Sequence, residues 1–294
     1  MARGVILALI SASCYGLGPI LFKLCYAAGL GTLDILTYRF VFAAALLFLF
    51  LVVVDRRKLR VDRDTLLKAT LAGLGVYLPE SFCFISAVER IPVATNSLIF
   101  YFYPLTVTLL SIPVFKLRLK PVTALALVVI LAGGTLISSD AVLRGLDPVG
   151  LAFSLASMLL FSVYLLLVQA CVKRCHPLTF TLYVFLAIGL GMTGVHGLSG
   201  LVQATPRQLV LILLVGLVPT TMAVPLLYAS IERIGGALAS IISSFELVVT
   251  VIVAALALGE HITAHELTGM ACILAGVALP NLHLLRLMGR RGAG

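Results

Sequence analysis

The sequence predicts an all-α, polytopic membrane protein with ten transmembrane helices in two inverted five-helix repeats, and three observations carry that prediction. The first is composition. Of 294 residues, 61% are apolar and only 11% are charged, whereas ordinary soluble domains carry roughly 25% charged residues. A water-soluble globule could neither bury that much apolar surface nor cover itself with so little charge. A soluble enzyme, a nucleic-acid-binding domain and a disordered chain are therefore excluded. The second is a succession of ten apolar windows joined by short connections. The third is that the chain matches itself when shifted by about half its length.

The windows run 4–28, 33–54, 66–88, 93–115, 121–138, 148–172, 177–199, 207–230, 237–258 and 264–285, close to the ~20 residues a hydrocarbon core demands. Window 1 follows Met1-Ala2-Arg3 like a signal peptide, but it continues through Lys23 to Ala28 without an A-x-A cleavage site, so it reads as an uncleaved first span. Window 2 begins near Arg39 and ends at the basic stretch 55–65. Window 3 carries Pro79 and Glu80, window 4 an aromatic cluster, and window 5 an Ala-Gly pair. Windows 6 to 10 follow in the same rhythm, and no connection has room for an extramembrane domain.

Charge placement orients the spans. With a cytoplasmic amino terminus, sixteen of the 21 basic residues fall on the inner side, among them Arg56, Arg57, Lys58, Lys173 and Arg174. Only Arg90, Arg144 and Arg207 fall outside, and Lys23 and Arg39 lie within spans. The positive-inside rule then places both termini in the cytoplasm. Topology thus accounts for the net charge of +9 and leaves no surplus that calls for nucleic acid. The six cysteines, Cys14, Cys25, Cys83, Cys171, Cys175 and Cys272, form no CxxC pair and imply no structural disulfide.

A shift of 143 residues lays Glu89-Arg90-Ile91 on Glu232-Arg233-Ile234, Ser97 on Ser240, Phe102 on Phe245 and Leu131-Ala132-Gly133 on Leu274-Ala275-Gly276. At a slightly different offset Gly4 meets Gly150, Ser11 meets Ser157 and Lys23 meets Gln169. The chain therefore divides into repeats 1–143 and 144–294. Five spans per repeat is an odd number, so the second repeat enters the membrane from the opposite side. Inverted repeats give two nearly equivalent shapes, each open to one side, with a site near the midplane between the halves.

These residues resemble the drug/metabolite transporter superfamily, in its ten-span EamA-type exporters. The resemblance rests on the paired Glu-Arg-Ile segments, on Phe102-Tyr103-Pro104 against Phe245-Glu246-Leu247, on the Gly259-Glu260 turn, on Arg39 opening span 2 and on the Ala-Gly pairs of spans 5 and 10. It covers essentially the whole chain. Lys116-Leu117-Arg118 departs from the pattern, standing where a second Gly-Glu is usual. The resemblance implies a basket of helices around a central cavity lined mainly by spans 1, 3, 4, 6, 8 and 9. Its general layout is most like the bacterial amino-acid exporters, including exporters of aromatic amino acids.

Ionisable groups at mid-membrane cost ~2.5–3.5 kcal/mol each on insertion scales and are functional candidates by default. Glu246 lies almost at the centre of span 9, and Glu80 about one turn past the centre of span 3; either suits a substrate ammonium or a coupling proton, and either also suits a helix cap. Lys23 and Arg39 lie near the outer ends of their spans, where long side chains snorkel to the interface; as contacts for a substrate carboxylate, Lys23 is the better of the two. Tyr101 and Tyr103 belong to the aromatic cluster of span 4, opposite Ser243, Ser244 and Glu246 in span 9, and Tyr77 precedes Glu80 by one turn. Packing between helices is the competing role for each tyrosine. Pro19, Pro79, Pro104, Pro219 and Pro225 interrupt spans and read as bending points, since a proline in a span frees a carbonyl that only protein or a wet cavity can satisfy.

Other motifs fail on context. Gly189-Leu190-Gly191-Met192-Thr193-Gly194 matches GxGxxG but has no strand before it, and reads as close helix packing. His261 and His265 lack the HExxH order of a zinc site. The resulting expectation is an inner-membrane secondary carrier that exports amino acids and related small metabolites through the lipid bilayer by alternating access, driven by no resident cofactor and with a proton as the candidate coupling ion. An exporter of drugs or organic cations is the alternative within the class, and an integral membrane enzyme the alternative outside it.

Overall fold

The computed structural model describes residues 2–91, 93–116, 121–137, 147–258 and 264–291, and every regular element among them is helical. The first half contributes α1 (Ala2–Tyr15), α2 (Gly18–Ala27), α3 (Thr32–Val54), α4 (Arg63–Ala72), α5 (Leu78–Arg90), α6 (Val93–Phe100), α7 (Tyr103–Phe115) and α8 (Pro121–Ile137). The second contributes α9 (Pro148–Cys171), α10 (Pro177–His196), α11 (Pro206–Gly216), α12 (Ala223–Ile234), α13 (Gly236–Ser243), α14 (Phe245–Leu258) and α15 (Ala264–Arg291). Seven helical stretches, some of them interrupted, are long and apolar enough to cross a membrane, and Tyr103–Phe115, Pro121–Leu136 and Leu267–Leu279 are shorter apolar helices. The boundary at 143/144, the Gly259-Glu260 turn, His261 and the Leu117-Arg118 departure lie outside the described residues.

The core is apolar, as in a soluble protein, but the surface is apolar too. Large apolar side chains such as Val53, Leu190, Val195 and Leu256 stand on the surface, while Arg39, Glu80 and Glu246 are less than one tenth exposed. That is the arrangement a lipid solvent selects.

Helix starts follow cap chemistry. Asp147, His176 and Thr205 each precede a proline in the first turn of α9, α10 and α11, where a missing N–H costs nothing, and each accepts a hydrogen bond from a backbone N–H of that turn. The Val149 N–H, together with Arg90 at 3.3 Å, holds the Asp147 carboxyl below the usual carboxylate range.

Each bending-point proline stands in the first turn of a helix or in a π-helical turn. Pro19 opens α2 after a break at Gly16-Leu17, Pro104 opens α7 after a break at Tyr101-Phe102, and Pro79 and Pro225 stand in the first turns of α5 and α12. π-helical turns at Gly73–Tyr77 and Leu217–Met222 precede those last two helices, and Pro219 lies in the second. A proline ring collides with the carbonyl one turn earlier, and the wider π turn relieves the collision but frees carbonyls. In the second half, the Thr220 and Thr221 hydroxyls donate to the Val215 and Gly216 carbonyls at 2.8 and 2.7 Å.

Packing joins the halves in matched pairs: α3 against α10, α8 against α15, α1 against α12 and α9 against α5. Missing side chains permit the close approaches. A Cβ on Gly4 would lie 2.6 Å from Ile234 Cγ2, and one on Gly150 would lie 2.7 Å from Ile91 Cγ2. Where α8 crosses α15, a Cβ on Gly133 would meet the Gly269 carbonyl at 2.6 Å, and one on Gly276 would meet Ile130 at 2.5 Å. Of the GxGxxG glycines, Gly189 faces the Phe40 backbone at 3.4 Å and Gly191 faces Leu74 at 3.0 Å, whereas Gly194 meets nothing.

Candidate functional site

The helix breaks and π turns converge on a cavity between the two halves. Both halves line it. Tyr15, Pro19, Phe22, Arg39, Tyr77, Glu80, Ser81, Phe84, Phe100 and Tyr103 come from the first, and Phe161, Pro219, Leu227, Ser243 and Glu246 from the second.

Both carboxylates stand in the first turn of a helix that begins in the middle of a span: Glu80 in α5 after the π turn, and Glu246 in α14 after the break at Ser244. The helix interruptions bring both acids to the cavity wall.

Glu80 accepts a hydrogen bond from the Ser81 hydroxyl at 3.1 Å. Arg39 Nη2 donates to the Tyr77 hydroxyl at 3.3 Å and to the Ser81 hydroxyl at 3.4 Å, so one serine stands between the arginine and the nearest acid. Glu246 neighbours the hydroxyls of Tyr101 and Tyr103. Ser243 lies beside the Tyr103 hydroxyl, and the Ser244 hydroxyl is buried without a hydrogen-bond partner among the described residues. The remaining wall is aromatic. Phe100 lies 4.9 Å from Phe84, 5.2 Å from Tyr103 and 5.1 Å from Phe161, and Tyr103 meets Phe161 edge to face at 5.0 Å.

Of the residues singled out in the sequence, the cavity brings together Tyr77, Glu80, Tyr103, Ser243, Glu246, Pro19 and Pro219. Tyr101 and Ser244 lie behind that wall, buried. Pro79, Pro104 and Pro225 stand in helix first turns without lining it. Lys23 is exposed, whereas Arg39 is 6% exposed and lines the cavity. Helical spacing explains the reversal. Phe22 takes the cavity-facing position of α2 and turns its neighbour Lys23 away, while Arg39 lies on the buried stripe of α3 formed by Leu36, Phe40, Ala43 and Leu47. Because α3 is apolar on every side, depth in the span is legible in its sequence and the inward face is not.

A model of the EamA-like transporter family matches this chain twice, over residues 2–139 and 148–282. The chain belongs to the EamA-like transporter family. It is accordingly a multi-span membrane transporter of small solutes. No curated protein matches it significantly in sequence. One solved structure, titled only as the crystal structure of a protein, superposes on 98% of this EamA-family chain and 99% of its own with a TM-score of 0.76 at 18% identity, so it shares the fold.

Proposed function

We propose that this EamA-family transporter exports amino acids, aromatic ones included, by alternating access between two inverted five-helix repeats, 1–143 and 144–294. The observation that carries the substrate class is the composition of the cavity wall, which sets two carboxylates against a cluster of aromatic rings. A substrate ammonium is matched by Glu246 or Glu80 and an apolar side chain by Phe100, Tyr103 and Phe161, where burial is worth ~25 cal/mol per Å². A proton is the candidate coupling ion on the same acids. Lys23, being exposed, drops out of the proposed site.

Two correspondences support the repeat reading. Gly4 meets Arg233 and Ile234 as its counterpart Gly150 meets Arg90 and Ile91. The π turns Gly73–Tyr77 and Leu217–Met222 fall at corresponding places in the two halves. With both termini cytoplasmic in an inner membrane, two states related by the repeat would open the cavity to either side.

Glu246 neighbours hydroxyls and forms no ion pair among the described residues, an observation that also favours an exporter of organic cations. Counterflow in proteoliposomes separates the two readings. Phenylalanine and tyrosine should exchange faster than threonine, and Tyr103→Leu should reduce the aromatic substrates more than threonine. Efflux of cationic dyes with no amino-acid exchange in the parent protein would overturn the amino-acid reading.

A further inference from the structure

We infer that Arg39 is the anchor for a carboxylate on the transported molecule, so that the site requires an anionic oxygen group as well as a cationic one. The inference rests on reading the cavity as the transport site. Arg39 is 94% buried in the cavity wall, and among the described residues no acid comes within ion-pair distance of it. Among the described residues, its hydrogen bonds to oxygen are two long ones from Nη2, to Tyr77 at 3.3 Å and Ser81 at 3.4 Å. Its Nε is buried without any partner.

A guanidinium carries five N–H donors in a rigid fork that matches a carboxylate in two parallel hydrogen bonds. A buried charge is ordinarily paired, because leaving it alone forfeits its hydration without compensation. Here the rings take part of the load. The guanidinium carbon lies 4.5 Å from the Phe40 ring centroid and 5.5 Å from that of Phe22, an attraction that fixes the cation without using its in-plane donors. Glu80 would be the natural internal partner, yet the Ser81 hydroxyl donates to Glu80 and accepts from Arg39, keeping acid and base apart. The arrangement holds a positive fork ready beside the cavity with donors in reserve. Glu246, on a helix of the other half, faces the same space with no cation of its own. A solute with a carboxylate at one end and an ammonium at the other satisfies both groups, and a simple organic cation leaves Arg39 unpaired.

The test uses the full-length protein in proteoliposomes with three probes that share a phenyl ring: phenylalanine, 2-phenylethylamine without the carboxylate, and 3-phenylpropionate without the ammonium. In the parent, 2-phenylethylamine should compete with phenylalanine counterflow about tenfold or more weakly than phenylalanine itself, as expected for losing a hydrogen-bonded charged group. Arg39→Gln should collapse that discrimination, and Arg39→Lys, which keeps the charge and loses the fork, should leave part of it. A merely structural arginine would lower all three probes alike, so an unchanged ratio in Arg39→Gln would overturn the proposal. Should both variants fail to fold, the parent decides by itself, because equal competition by phenylalanine and 2-phenylethylamine excludes the anchor. If the parent moves 3-phenylpropionate and not phenylalanine, and Arg39→Gln abolishes that flux, the anchor stands and the amino-acid reading falls. If it moves 2-phenylethylamine and not phenylalanine, or none of the three, both fall.

Discussion

Glu80 and Glu246 each occupy the first turn of a helix that starts in mid-span, and both line the cavity. Glu246→Gln and Glu80→Gln keep the shape and remove the charge. Export should fall about tenfold or more in at least one of them if the charge binds substrate or carries a proton, while each variant folds at least as well as the parent, since a buried neutral amide is cheaper than a buried ion. Wild-type flux with wild-type pH dependence in both variants would return the acids to structural roles. The acids were legible in the sequence because a charge inside an apolar window has few structural excuses. Arg39 was legible as a charge but not as a cavity group, since its helix has no polar face to reveal which way it turns. Phe22, Phe84 and Phe161 were not legible at all. Phenylalanine is as common on the lipid side as inside, and only the crossing of helices from both halves brings these three to one wall.

At the scale of helices, the prolines announced where spans are interrupted, but not the form of the interruption. Pro79 and Pro225 follow π turns while Pro19 and Pro104 follow open breaks. In the second half the Thr220 and Thr221 hydroxyls donate to the Val215 and Gly216 carbonyls. The close helix crossings depend on Gly4 and Gly150, where a methyl group would press on Ile234 and Ile91 at 2.6 and 2.7 Å and on the Cβ atoms of Arg233 and Arg90 at 3.1 and 2.9 Å. These are branched or backbone-proximal atoms that cannot swing aside, so Gly4→Ala and Gly150→Ala should each cost about 1–3 kcal/mol, the range for overpacking. Thermal unfolding in detergent measures this. Similar losses are expected at the two sites if the halves are equivalent, and a loss confined to one site would count against matched packing.

For the whole molecule, the near equivalence of the halves is broken at one place that bears on transport. The first span is interrupted at Gly16-Leu17, whereas α9, its counterpart, runs unbroken from Pro148 to Cys171. The interruption lies against the other half: a Cβ on Gly16 would meet the Glu246 carbonyl at 2.9 Å, and the Thr250 hydroxyl donates to the Gly16 carbonyl at 3.0 Å. If the halves exchange shapes as proposed, the two states are therefore not identical. Which face is cytoplasmic then decides the direction of that asymmetry. The fold fixes which loops share a face. The Thr179 and Tyr183 hydroxyls at the start of α10 donate to the carbonyls of Lys58 and Leu59 at 2.8 and 2.6 Å, and Gln208 in α11 donates to the Ala28 carbonyl at 2.8 Å, beyond the end of α2. Arg57 and Lys173 thus belong to one face and Arg207 to the opposite one, if the helices between them cross. In a background without the native cysteines, Arg57→Cys and Lys173→Cys should be protected from impermeant thiol reagents in intact cells, and Arg207→Cys should label. Labelling of both protected sites, with Arg207→Cys silent, would reverse the orientation and leave the inverted arrangement standing. Different behaviour of Arg57→Cys and Lys173→Cys would instead mean an even number of crossings per half, and would remove the inverted repeat together with the alternating-access mechanism built on it.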